Sequence, residues 1–136
     1  MDKQRARPTF LVADDMPAMA ALVSALLREA GAEVVASARD GAEALRLFDA
    51  TSPDAVVLDV EMPELNGFEV LQAIRAKEGK TRRLAIILTA HAEHAMRDEA
   101  FARGADHFLH KGTDLERLLQ IVPEFAGRLA ETGRPL

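Results

Sequence analysis

Ala55-Val56-Val57-Leu58-Asp59-Val60-Glu61-Met62-Pro63-Glu64-Leu65-Asn66-Gly67 decides how this chain folds. Apolar residues rich in Val run straight into a carboxylate, and Pro63 and Gly67 break the chain before a new periodic segment begins. An unbroken apolar run of this kind reads as a strand buried on both faces. Asp59 then stands at the strand's carboxyl end, which is where open parallel sheets bind their ligands.

The same pattern recurs on either side. Upstream, Thr9 to Ala13 is a first strand ending in Asp14-Asp15, and Pro17 suits the first turn of a helix because its missing N–H needs no partner there. Met19, Leu22, Val23, Leu26, Leu27 and Ala30 continue at helical spacing until Gly31. Glu33 to Ala36 is a second strand. Asp40 and Glu43 form a capping box for a second helix that buries Leu45 and Phe48, runs to about Ala50 and is stopped by Ser52-Pro53.

Downstream, Phe68, Leu71 and Ile74 mark a third helix ending in the turn Lys77-Glu78-Gly79-Lys80. Leu84 to Leu88 is a fourth strand that ends at Thr89-Ala90. A helix from about Glu93 to Arg103 offers only Met96 and Phe101 as large apolar residues, so it is expected to be the most mobile. Asp106 to His110 is a fifth strand ending at Lys111. Thr113-Asp114-Leu115-Glu116 reads as a capping box, and Leu115, Leu118, Leu119, Val122 and Phe125 form the last helix. Pro123 inside it removes a bond to the Leu119 carbonyl, so a kink or break is expected there, with fraying from Glu131 onward.

Composition sets the bounds. The 136 residues, 49% apolar, suit one domain over 8–128 with short tails at 1–7 and 129–136. A net charge of −5 argues against nucleic-acid binding. No cysteine is present, which excludes thiolate catalysis and disulfides. With no apolar run of signal-peptide or membrane-spanning length, the expectation is a soluble cytoplasmic protein that makes no membrane contact.

Strands alternating with helices imply right-handed crossovers and helices on both faces: a doubly wound, three-layer α/β/α domain around a five-stranded parallel sheet. The expected strand order is the flavodoxin-like 2-1-3-4-5, which sets the ends of strands one and three side by side. Asp14, Asp15 and Asp59 then share one pocket with Thr89 and Lys111. Carboxylates so close repel each other unless a cation joins them, and Mg²⁺ suits one or two carboxylates with room for phosphate oxygens. Lys111 adds a compact positive charge, the Thr89 hydroxyl can donate to an anion, and small Ala90 leaves that anion space. Together these groups make a phosphoryl-transfer site.

The chain resembles the receiver domain of two-component response regulators from about Pro8 to Phe125. The resemblance is carried by Asp14-Asp15, by Asp59 with Met62-Pro63 and Gly67, by Thr89-Ala90 and by Lys111. It implies that Asp59 is the phosphoacceptor, fed by a phosphohistidine on a histidine kinase or histidine phosphotransfer protein. It also implies Mg²⁺ held by Asp15, Asp59 and the main-chain carbonyl of Glu61, with Asp14 acting through water. Thr89 and Phe108 would be the switch residues, reporting to a protein target on the face made by helix four, strand five and helix five. Catalysis would be confined to the domain's own phosphorylation and dephosphorylation, with the output passing through protein contacts.

Glu61 and His91 occupy positions where the family varies, and both are expected to modulate the pocket together with Ala90. His94 is assigned to the fourth helix, and His107 and His110 to exposed or edge positions on the fifth strand. Relatives commonly follow the lysine with a cis proline, whereas Gly112 here predicts a trans bond and a looser loop carrying Lys111. Two other readings stay open: a receiver-like binding module that is never phosphorylated, and a small phosphatase using Asp59 as nucleophile and Glu61 as acid/base.

Overall fold

The computed structural model describes residues 7–91 and 93–132. The apolar runs become β1 (Thr9–Ala13), β2 (Glu33–Ala38), β3 (Ala55–Asp59), β4 (Leu84–Thr89) and β5 (His107–His110), all parallel, in the order β2-β1-β3-β4-β5. Between and after them lie α1 (Pro17–Glu29), α2 (Gly41–Thr51), α3 (Gly67–Lys77), α4 (His94–Ala102) and α5 (Leu118–Thr132). This is the expected doubly wound order.

Alternation along each strand divides the core in two, because successive side chains point to opposite faces. Leu11, Val56, Leu58, Ile87 and Phe108 pack with Phe48, Phe68, Leu71, Ile74 and Ala100 from α2, α3 and α4. Phe10, Val12, Val57, Ile86, Leu88 and Leu109 pack on the other face with Val23, Leu27, Leu118, Val122 and Phe125 from α1 and α5. All five residues of β3 are buried, as a central strand requires.

The loop after β3 is held tightly. Asn66 and Glu69 form a complete capping box, each side chain accepting from the other's main-chain N–H at 2.9 Å. A Cβ on Gly67 would lie 2.3 Å from the Asp59 carbonyl oxygen, so only glycine lets α3 start against the end of β3. Gly41 likewise admits the Leu65 carbonyl, which a Cβ would meet at 2.4 Å, and so docks α2 on the same loop.

Several local expectations change. β2 runs on to Ala38, and β5 starts at His107 because the Asp106 carboxylate turns back to accept the Ala85 N–H at 2.9 Å. Asp40 caps α2 through the Glu43 N–H at 2.8 Å, but Glu43 reaches back to the Arg39 N–H, one residue before the cap. The capping box expected between Thr113 and Glu116 does not form: the Thr113 hydroxyl donates to Asp114 Oδ1 at 3.2 Å, Asp114 Oδ2 accepts the His110 N–H at 2.9 Å, and a single 3-10 turn, Leu115–Arg117, precedes α5. Phe101 points outward under the Arg97 guanidinium, leaving Ala100 as the buried residue of α4, and Leu22 on α1 is exposed.

α5 passes through Pro123 without a break. Pro123 is exposed while Ile121, Val122 and Phe125 are buried, so the Leu119 carbonyl that lost its donor lies on the helix's solvent side. The helix also includes Glu131 and Thr132, where fraying was expected, and runs past the expected boundary at 128. Residues 1–6 and 133–136 of the expected tails lie outside the described residues.

Candidate functional site

Strand register brings the functional side chains together. Ala13 pairs with Leu58, so Asp14 and Asp59 emerge side by side, and Thr89 pairs with His110, which brings Lys111 to the same edge. The Asp14 N–H donates to the Ala38 carbonyl at 3.0 Å, and Asp14 Oδ1 accepts the Met16 N–H at 2.9 Å. Asp14 Oδ2 is buried and receives no well-aligned hydrogen bond, although Lys111 Nζ lies 2.8 Å away. Lys111 Nζ is also 3.2 Å from Asp59 Oδ1, which accepts the Glu61 N–H at 3.3 Å. The trans bond to Gly112 therefore does not keep Lys111 from the carboxylates.

The charges here are not balanced. Burial and then the Asp14 carboxylate push Asp59 up to about 6, against the pull of Lys111 and the Glu61 N–H. Burial pulls Lys111 down, but the two aspartates outweigh it and hold its ammonium above the ordinary lysine value. One lysine shared by two buried carboxylates leaves room for further positive charge.

Asp15, which is exposed, completes the acidic group: Asp14, Asp15 and Asp59 each offer an oxygen within 4.8 Å of the others. An all-oxygen donor set with one under-bonded buried oxygen fits a hard divalent cation such as Mg²⁺. The acidic edge opens into a cleft of about 460 Å³ whose wall also includes Glu61, Ala90 and Gly112. Met16 and Met19 line it too. Sequence reasoning placed Met19 on the helix core and gave Met16 no role, yet their position just after Asp14-Asp15 at the start of α1 was a usable signal.

Thr89 is placed differently. It is fully buried and does not line the cleft; its hydroxyl accepts the His91 N–H at 3.0 Å and faces Met96 Sδ at 3.7 Å. Phe108 is 4% exposed, within the α2–α4 half of the core. His91 Nε2 meets Glu61 Oε2 at 2.9 Å, so the expected modulator His91 is tied to Glu61 on the cleft wall but does not itself line the cleft. His107 and His110 lie half-buried on the edge strand, and His94 opens α4.

A buried carboxylate with raised basicity, a lysine on its oxygen and two further carboxylates for a cation can accept and stabilise a phosphoryl group. Comparison with known proteins agrees. Residues 10–123 match the family model of the response regulator receiver domain. The chemotaxis protein CheY of Listeria monocytogenes is 33% identical over 86% of this chain and 97% of its own length. The transcriptional regulatory protein PrrA of Mycobacterium leprae is 37% identical over 98% of this chain but 56% of its own length. The receiver domain of the response regulator NarL from Mycobacterium tuberculosis superposes with a TM-score of 0.81 at 31% identity, covering 90% of this chain and 98% of that one.

Proposed function

The chain belongs to the response regulator receiver domain family, and on that premise we propose that Asp59 accepts a phosphoryl group from a phosphohistidine on a histidine kinase or histidine phosphotransfer protein. The observation that carries this reading is the buried Asp59 carboxylate, bonded to Lys111 and pushed up to about 6. A more basic carboxylate is a better nucleophile and is still ionised above that value.

An Asp59 oxygen attacks phosphorus as the P–N bond to the donor imidazole breaks. The electron pair leaves with the imidazole nitrogen, and a mixed anhydride forms on Asp59. Lys111, already on Asp59 Oδ1, neutralises charge on the incoming oxygens. Asp15, Asp59 and the Glu61 carbonyl would hold Mg²⁺, with Asp14 acting through water; when bound, the ion shields the phosphoryl oxygens and lowers the effective pKa of Asp59.

The Thr89 hydroxyl leaves the Met96 sulfur to bond the phosphoryl group, and Phe108 transmits the change to the α4–β5–α5 face, where a protein target reads it. Phosphate can shift this equilibrium only by its differential affinity for the two packings. The His91–Glu61 pair sets how water reaches the anhydride. No helix among the described residues is long and apolar enough to cross a membrane, which accords with a cytoplasmic setting.

Incubation with radiolabelled acetyl phosphate and Mg²⁺ is expected to give one base-labile adduct, absent in Asp59→Asn. Equal labelling of that variant defeats the assignment.

A further inference from the structure

Lys111 is carried by an exposed loop in which a glycine follows it directly, yet its ammonium is aimed at two buried carboxylates. The His110 ring is what fastens this loop. The Gly112 N–H donates to His110 Nδ1 at 3.2 Å, and His110 Nε2 lies 3.1 Å from the Ala90 carbonyl oxygen. A main-chain N–H can only donate and a carbonyl can only accept, so the two partners select the neutral ring with its proton on Nε2. The Thr113 hydroxyl stands 3.3 Å from the same Nδ1.

The backbone beneath the ring is fixed as well. The His110 N–H donates to Asp114 Oδ2 at 2.9 Å, and the Lys111 N–H to the Thr89 carbonyl at 2.8 Å. A Cβ at position 112 would lie 2.9 Å from His110 Cε1, so the ring and the glycine are a matched pair.

We propose that His110 is a positioning residue. Its neutral imidazole clamps the loop carrying Lys111 to Ala90, the residue that follows the end of β4, and so sets the reach of Lys111 toward Asp59. The inference rests on the phosphoacceptor reading for its functional consequence but not for its geometry. It also means that any displacement of Ala90 is felt at Gly112.

Three variants separate the arms of the clamp. His110→Asn keeps an acceptor near Nδ1, His110→Gln keeps a donor near Nε2, and His110→Ala keeps neither. Two readouts are independent of phosphorylation: the ring ¹⁵N resonances of the neutral imidazole, recorded in alkaline buffer and expected to show hydrogen on Nε2 only, and the rate at which an amine-acylating reagent modifies Lys111, read by mass spectrometry.

His110→Ala is expected to expose Lys111 to the reagent about tenfold faster and to slow acetyl phosphate labelling by about tenfold or more, with the Asn and Gln variants intermediate on both. Hydrogen on Nδ1 overturns the proposal. So does wild-type protection of Lys111 in His110→Ala, or a wild-type labelling rate in that variant. If the wild type takes no label but His110→Ala still unshields Lys111, the clamp stands and the phosphoacceptor reading falls.

Discussion

At the amino-terminal edge of the sheet, Asp54 Oδ2 accepts from the Thr9 N–H at 2.9 Å and from its hydroxyl at 3.1 Å, while the Asp54 N–H donates back to Thr9 Oγ1 at 3.0 Å. Arg83, buried nearby, donates to Pro53 O, Thr81 O and Ser52 Oγ, each at 2.8 Å, and lies over the Phe48 ring. At the carboxyl edge two buried aspartates share one lysine, one oxygen lacks an aligned donor, and Asp59 is pushed up to about 6. Both edges bury charge, but only the first satisfies it. A fully paired network fixes a structure, whereas an under-paired one is held there by the rest of the fold and is poised for a ligand.

The sharpest way to break this comparison is to damage the satisfied edge. Arg83→Ala removes three hydrogen bonds and the stack on Phe48, and is expected to cost about 3 kcal/mol in urea unfolding. Labelling per folded molecule should be unchanged; lost activity at full folding would show that the two edges are not separate.

Next, Asp59→Asn is expected to stabilise the protein by about 2 kcal/mol when assayed without Mg²⁺ above the folded value of about 6. The sign follows from the raised value: the folded state binds the extra proton between 3.8 and 6, so this group's contribution is full below 3.8 and is lost as pH rises through 6. The gain should vanish at low pH, and Mg²⁺ should raise the melting temperature of the wild type but not of the variant.

Thr9→Val, which strips two hydrogen bonds from Asp54, should cost about 1 kcal/mol. Lys77→Ala, at the exposed pair with Asp49, should change stability by at most about 0.5 kcal/mol, since solvent screens such pairs. A larger effect there would show that charge pairing in general, rather than burial, separates the two edges.

Much of the site was legible because a parallel sheet sends every strand's carboxyl end to one edge. Once Thr9 to Ala13, Ala55 to Asp59, Leu84 to Thr89 and His107 to His110 are recognised as strands, their terminal residues must meet. Contacts between loops had no such guide. That Thr89 faces Met96 rather than the cleft depends on how α4 packs, and a helix with so thin a buried stripe fixes its own rotation weakly in sequence. His110 read as an edge residue because its alternation on β5 points it away from the core; its partners, Ala90 and Gly112, lie on loops that only the finished fold brings together. Thr113 and Glu116 matched a capping pattern, yet the Thr113 hydroxyl turns to the Asp114 carboxylate, which itself accepts the His110 N–H.

Among the described residues, the two halves of the core share no side chain. Phe108 belongs to one and its neighbour Leu109 to the other, so the face made by α4, β5 and α5 lies across a seam. For an engineer this is a natural parting line. The α1–α5 half can be recoloured with new docking residues or repacked for thermal endurance as one module. The half containing Met96 and Phe108 can be repacked as another.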